Sequence, residues 1–571
     1  MLSCASDAHE EMREESMEMM TESMDYTRAQ YTGQHWDLRT WKQPSDNKLF
    51  YPWVFSKTLK HDAATGLPLV KDVTTLLAAV QCPSAASVAA IKLNPLSRRK
   101  LEGIVNSADY TMLGGDPRAL HPPIVWPIDS AERAFEMAEV YAMALLRDTN
   151  FIEWESSTKI ATIVDFLNGF AAKTTAPIVD GRITPRTLLR GGVPGCTIGP
   201  YVSQFMLHDF WYGGAKFVQE FAVEPDTNNG LTWQGWLDIQ NGVTDDTSTL
   251  PAGEAIHVHS PRVLGSNVHV DPPSSWYFNA AQIAGQMGID ATGIQSSIST
   301  SWATAGYIGA RAPPSPRSTL EARAATHCHV FGSVNHVTIG AMRVAWHTKW
   351  SMIMQIRPEV LAQRLELVRK FPELVNGKRP IPGLAAIQQN MQAASGLLQM
   401  VFNDNKKWTG GEESLLLALQ YPEGSPTHPS HPGTSRWARD GRWRMSNDPK
   451  GDARDARGRS RRQARPAEAS ALGDVLIVYE GEDVSEMTVN GELNKLGTNI
   501  ALSRDWAGVH FRTDGDGGLL LGEEFAIAYL VDKAREYCDN GHGMFNGWLL
   551  EKFSGDVVRI TSQGVAPVPP L

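Results

Sequence analysis

His510 ends the segment Ser503-Arg504-Asp505-Trp506-Ala507-Gly508-Val509-His510, and upstream lie Lys349-Trp350 and Arg357-Pro358. One imidazole with a lysine and two arginines forms a donor set for a multiply charged oxyanion. The cations supply charge and hydrogen bonds, with guanidinium forks pairing along two oxygens, while a neutral imidazole can bond the central atom. A further part of such a pocket should follow the Pro-rich loop Tyr421-Pro-Glu-Gly-Ser-Pro-Thr-His428-Pro-Ser. Taken singly, each fragment has a bland reading. Lys/Arg pairs on solvated helix faces are common, His510 alone reads as a core histidine with Arg504 on the surface, and His428 alone reads as a surface loop residue.

The elements around these residues favour the chemical reading. Lys349 and Arg357 are eight positions apart. On one helix that is ~80° of rotation and ~12 Å of rise, so long side chains can lean toward one point. Trp346, Trp350, Met352, Ile353 and Ile356 embed them in apolar sequence, where a cation needs a counter-charge. Pro358 disfavours α geometry at Arg357 and interrupts the helical periodicity of residues 338–369. Leu496, Ile500 and Leu502 end a helix, and Gly508 can take the left-handed position that turns the chain and leaves His510 over that helix. Elsewhere Asp129 with Glu132 predicts a capped helix whose buried stripe is Ala134, Met137, Tyr141, Ala144 and Leu145. Helices are also expected at 158–172, from Tyr201, from Asp271 toward Met287, and at 391–402, 413–419, 492–502 and 519–537. Strand alternation is scarce. The expectation is a mostly helical chain built from bundles.

Length and composition set wider bounds. A chain of 571 residues with 42% hydrophobic and 20% charged residues can bury a large core. A formal charge of −10 argues against nucleic acid as the main partner. Five dispersed cysteines show no zinc spacing and no disulfide framework. No apolar run reaches the ~18 residues of a membrane helix. Met1 to Met24 is acidic and Met-rich, which predicts a frayed helix and no secretory signal, with the compartment unassigned.

Together the fragments are far more specific than any one of them. Lys, seven residues and Arg-Pro, then a Pro-rich loop with His, then Ser-Arg, three residues, Gly, one residue and His resembles the phosphatidic-acid-phosphatase/vanadium haloperoxidase superfamily. Longer strings look like vanadium-dependent bromoperoxidases: Phe55-Ser-Lys-Thr-Leu-Lys-His61, Met143-Ala-Leu-Leu-Arg-Asp148, Arg190-Gly-Gly-Val-Pro-Gly, Gly199-Pro-Tyr-Val-Ser-Gln-Phe205, Gly491-Glu-Leu-Asn-Lys-Leu496 and Ala507-Gly-Val-His-Phe-Arg512. The match runs from about Asp37 to Pro432 and from about Leu472 to Ile560. It implies an all-α fold of two four-helix bundles, with an acidic extension at 1–36, an N-terminal helical part at 37–330 and a C-terminal part at 331–571 carrying the site. It implies vanadate bonded to His510 and hydrogen-bonded by Lys349, Arg357 and Arg504, with Lys349 and His428 catalytic and Trp346 a pocket wall. Hydrogen peroxide, bromide or iodide and an organic halogen acceptor would be the partners, in a homo-oligomer without nucleic acid. Calcium is not readable. The runner-up readings are an acid phosphatase with the same cage and a catalytically inactive homologue.

The pattern breaks after Pro432. The family pattern there is Ser-Gly-His, whose His handles the peroxide proton; this chain reads Gly433-Thr-Ser-Arg-Trp-Ala438. Ten arginines fall between Arg436 and Arg465 with almost no aliphatic residues, so the segment 433–470 is expected to be disordered. Its Trp437 and Trp443 could stack on nucleic acid. The position between two well-matched halves points instead to a shifted reading frame or a retained intron.

Overall fold

The chain is described by a computed structural model over residues 53–568, apart from 82–83, 109–112, 115–119, 121–124, 213, 224–225, 245–252, 270–271, 273, 287–326, 378–380, 431–465 and 539–547. The N-terminal extension and the Arg-rich tract up to residue 465 therefore lie outside the described residues. The helices run in the order α1 (Val70–Gln81), α2 (Ala85–Ala89), α3 (Ala131–Leu146), α4 (Thr158–Asn168), α5 (Trp233–Gln240), α6 (Pro261–Asn267) and α7 (Ser275–Gln286). They continue with α8 (His327–His347), α9 (Pro358–Lys370), α10 (Glu373–Asn376), α11 (Leu384–Asn390), α12 (Ser395–Trp408), α13 (Val489–Trp506) and α14 (Arg512–Cys538). Short antiparallel pairs decorate this helical body: β1 (Phe210–Tyr212) with β2 (Ala215–Phe217), β3 (Phe221–Ala222) with β4 (Ala255–Ile256), and β5 (Ala467–Ala469) with β6 (Leu476–Val478). A three-stranded sheet, β7 (Trp548–Glu551), β8 (Val557–Thr561) and β9 (Gly564–Pro567), packs on α14. Among the described residues no helix is long and apolar enough to cross a membrane.

Helix α3 lies at the centre, in contact with α4, α9, α11, α12 and α13. Its N-cap is Ser130, whose side chain accepts from the Arg133 amide, and not Asp129 as expected. Burial also exceeds the predicted stripe: Arg133, Glu136 and Glu139 are buried with the apolar positions, whereas Ala144 and Leu145 are only half-buried. The charged residues are accommodated because they hold the start of α14. Arg512 donates to both Glu139 oxygens at 2.8 and 2.7 Å, and Glu136 accepts from the Thr513 amide at 2.9 Å. Burial pushes the Glu136 carboxyl up to about 7, against the opposing pull of Arg133. Along the other side of α14, Leu521, Phe525, Ala526 and Tyr529 pack with Val337, Ala341 and Val344 of α8.

Three local expectations fail for identifiable reasons. Residues 413–419 form no helix, with only a single bridge at Leu419. Asn405 donates to the carbonyls of Ser414 and Leu416, Glu366 takes the Leu415 amide, and Asn229 pairs with Leu419, so the surrounding protein takes the hydrogen bonds a helix would have made. The helix expected from Tyr201 is a single 3₁₀ turn, Gln204–Met206, capped by Ser203. Residues 466–470, placed in the disordered tract, are ordered: Ala467 and Ala469 are buried in β5, and Gln204 both donates to and accepts from the Ala467 backbone.

Candidate active site

Lys349 and Arg357 do not share a helix. The α8 helix relaxes into a π-turn, Thr348–Ile353, and ends at Met354 in the left-handed region (φ 45°). Arg357 is then extended as the residue before α9, with Pro358 at the first helical position. The sharp bend, rather than a shared helical face, turns both side chains toward the loop 428–430. Lys349 Nζ donates to the carbonyls of Pro429 and Ser430 at 3.2 and 3.3 Å. Arg357 donates to the His428 carbonyl through Nε and Nη2 at 3.0 and 2.8 Å, to the His428 ring at 2.9 Å and to the Val509 carbonyl at 2.9 Å.

His510 arrives from the other side. Gly508 adopts φ 85° after α13, as the turn requires. The His510 Nδ1 lies 3.1 Å from Asp514 Oδ2, and its Nε2 is 2.9 Å from Arg357 Nη1. A carboxylate accepts only, so Nδ1 carries the proton and Nε2 keeps its lone pair. Asp514, in the first turn of α14, also accepts from the Phe511 amide at 2.9 Å, from Gln355 at 3.1 Å and from the Ser430 hydroxyl. The spacing His510-x-x-x-Asp514 was a signal the sequence reading passed over. Arg504, at the last turn of α13, donates to the Ile500 carbonyl at 3.0 Å and stands near enough to Lys349 to disfavour its charge.

The wall comes from further loops. Trp346 meets the His428 ring edge-on, with centroids 4.8 Å apart. Glu102 Oε2 lies 3.9 Å from His428 Nε2, and its Oε1 accepts from Thr427 at 2.6 Å. Behind them, Lys57 and Arg99 donate to the carbonyls of Glu423 and Ser425 and fix that turn. Burial draws the Lys57 ammonium down to about 7 despite Glu359 nearby.

The electrostatics describe a site short of negative charge. Burial, with Arg357 beside it, holds the Lys349 ammonium well below its ordinary range, and Arg357 is drawn to about 10 by burial. Both His428 and His510 are held neutral, first by burial and then by the neighbouring cations. The buried Lys349 and Arg357 head groups thus face Asp514 and the half-exposed Glu102, and the half-buried Arg504 adds its charge near Lys349. A multiply charged oxyanion is the complement of that set, and the unprotonated Nε2 of His510, which here accepts from Arg357, has the lone pair to bond it. Vanadate fits these donors in charge and type. A cation does not: among the described residues no group of His, Cys, Asp and Glu is arranged to hold one.

No protein-family model matches the chain. Curated relatives do. The vanadium-dependent bromoperoxidase of Ascophyllum nodosum is 26% identical over 77% of this chain and 74% of its own length. Those of Corallina pilulifera and Corallina officinalis are each 24% identical over 79% of this chain and 78% of theirs. Among solved structures, the homohexameric second vanadate-dependent bromoperoxidase of Ascophyllum nodosum superposes with a TM-score of 0.72 at 21% identity, covering 96% of this chain and 90% of that one. In sequence over about three quarters of its length, and in fold, this chain is similar to vanadium-dependent bromoperoxidases.

Proposed function

We propose that the chain is a vanadium-dependent haloperoxidase, which uses hydrogen peroxide to oxidise bromide or iodide to hypohalous acid for halogenation of organic acceptors. The reading is carried by one observation: His510, fixed through Nδ1 on Asp514, presents an unprotonated Nε2 to the Arg357 guanidinium, beside the buried Lys349 ammonium. His510 would bond vanadium, and Lys349, Arg357 and Arg504 would hold the vanadate oxygens. When bound, the group would supply Lewis-acid activation of peroxide.

The protein's own residues do the rest. Asp514 fixes the His510 tautomer and orientation, as a carboxylate behind a ligating histidine does. Arg357 supplies a rigid fork, and Lys349 a point charge that helps polarise the peroxide. Trp346 and His428 wall the pocket on the Glu102 side, with His428 contributing a neutral imidazole that can accept a proton. Assembly as a homo-oligomer is part of the proposal, supported by the homohexameric neighbour.

The chain carries Gly433-Thr-Ser-Arg in place of Ser-Gly-His, so weak turnover is expected. The test is dye bromination with vanadate, peroxide and bromide, beside hydrolysis of a phosphate monoester without vanadate. Bromination dependent on vanadate supports the reading. Phosphate-ester hydrolysis without any halide oxidation replaces it with the phosphatase of the same superfamily. An uninterrupted transcript encoding the Arg tract rules out the shifted frame or retained intron.

A further inference from the structure

The chain lacks the histidine that would manage the peroxide proton, yet His428 at the pocket wall stands beside Glu102, to which no task has been given. We infer that Glu102 is the positioning residue of His428 and the solvent-side outlet for a proton released in the pocket. This rests on the haloperoxidase reading for its chemistry, though not for its geometry.

The geometry fixes the tautomer. Arg357 Nη2 lies 2.9 Å from His428 Nδ1. Nδ1 also lies 3.0 Å from the Pro429 carbonyl, but that oxygen already accepts from Lys349 and Arg357 whereas a guanidinium can only donate, so the Nδ1 lone pair takes the Arg357 proton and the ring proton sits on Nε2. Nε2 faces Glu102 Oε2 at 3.9 Å, a gap that one bridging water or a small side-chain rotation closes. Glu102 is itself held. Its Oε1 accepts from Thr427, the neighbour of His428, at 2.6 Å, and Arg99 stands 3.8 Å away. Its backbone carbonyl accepts from Trp350 at 2.9 Å. The part-buried imidazole therefore has a proton-accepting nitrogen toward the cations and a proton-donating nitrogen toward a carboxylate that is 46% exposed, hence open to water.

The groups facing His428 are Lys349 and Arg357 from the bend, His510 from beyond α13, Trp346 from α8 and Glu102 from the loop before Gly103. The cations keep the ring neutral, which is the state a proton acceptor needs. In the relay, hydrogen peroxide gives up an O–H proton to Nδ1 as Arg357 turns to its other acceptors, the carbonyls of His428 and Pro429. The Nε2 proton passes to the Glu102 carboxylate and on to solvent. One O–H and one N–H bond break, one N–H and one O–H bond form, and no electrons are transferred.

The test combines a spectrum with turnover. With ¹⁵N-labelled histidine and no vanadate present, long-range ¹H–¹⁵N correlation at neutral pH reports the His428 tautomer, assigned by the loss of its signals in His428→Gln. The wild type should show the proton on Nε2, with signals that move in Glu102→Gln and return in Glu102→Asp. For bromide oxidation, Glu102→Gln should lower kcat by about 100-fold, the scale of a lost acid–base group, with KM for peroxide nearly unchanged and Glu102→Asp restoring part of the rate. His428 signals identical in wild type and Glu102→Gln overturn the pairing. Signals that move without any change in kcat overturn the relay. A wild type with no bromide oxidation, but with Glu102-dependent His428 signals, sinks the haloperoxidase reading and the relay while the pairing stands.

Discussion

Asp514→Asn is the sharpest perturbation of the site. The Asp514 carboxylate is fully buried and accepts from His510 Nδ1, the Phe511 amide, the Gln355 amide and the Ser430 hydroxyl. An asparagine keeps the shape but has one acceptor oxygen and one donor group. If the oxygen takes the Oδ1 position and stays with Gln355, the amide N–H₂ takes the Oδ2 position and faces His510 Nδ1, which must then become an acceptor. The ring proton moves to Nε2, and the nitrogen with a lone pair for a metal atom is lost. Residues behind a metal-ligating histidine cost about 10- to 100-fold in affinity when changed, or roughly 1.4–2.7 kcal/mol. The assay is vanadate binding by calorimetry, with ⁵¹V resonance following the bound ion. A melting curve would separate lost affinity from lost folding, since a damaged buried network costs on the order of 1–3 kcal/mol per unsatisfied group. Folded Asp514→Asn protein that binds vanadate within about twofold of wild type refutes the claim that Asp514 sets the His510 tautomer.

Gly103→Ala should be destabilising and should disturb the pocket wall. Gly103 has φ 76°, and an added Cβ would lie 2.1 Å from the Trp346 ring. Backbone strain and overpacking together cost about 2–5 kcal/mol, read as a lower urea midpoint with altered Trp346 fluorescence; an unchanged midpoint contradicts the packing. His61 predicts acid sensitivity. Burial holds its ring down to about 4, with Nδ1 on the Leu59 carbonyl and Nε2 near the Ser56 hydroxyl. The unfolded chain takes up the proton first as pH falls below ~6.5, so stability is lost between there and about 4. The loss reaches about 3 kcal/mol, and urea midpoints at pH 7 and 4.5 should converge more closely in His61→Gln than in wild type.

How much of this was legible depends on whether the determining forces were local. The helices at 158–168, 275–286 and 489–506 follow their own caps and periodicity, and the sequence places them within a few residues. The non-helical segment at 413–419 could not be found that way, because its partners Asn229, Glu366 and Asn405 come from elsewhere in the chain. The same holds at the site. Lys349, Arg357, His428 and His510 stand out by type and spacing, but the reason Lys349 and Arg357 converge, a π-turn and a left-handed Met354, carries only the weak signal of Pro358. Glu102 and Asp514 are ordinary acidic residues until the fold sets them beside the two imidazoles.

The placement of the His428 loop bears on what the altered sequence after Pro432 would cost. Tyr421 stacks on His269 with ring centroids 3.9 Å apart and donates to the Gly265 carbonyl at 2.8 Å, and His269 pairs with Glu423 at 2.6 Å. Lys57 and Arg99 hold the carbonyls of Glu423 and Ser425, Ser425 donates to Glu359, and the Thr427 hydroxyl shares its one proton between Glu102 and the Lys100 carbonyl, each at 2.6 Å. Lys349 and Arg357 then take the carbonyls from His428 to Ser430. Among the described residues, each of these anchors lies before residue 431 or on another element, so none of these bonds comes from the stretch that stands in place of Ser-Gly-His. Replacing Ser-Gly-His should therefore remove hydrogen-bond donors and a proton acceptor while leaving the cationic cage in place. Vanadate affinity and halide turnover would then separate, with affinity lowered by the missing donors and turnover limited by proton transfer, the step at which Glu102 and His428 stand.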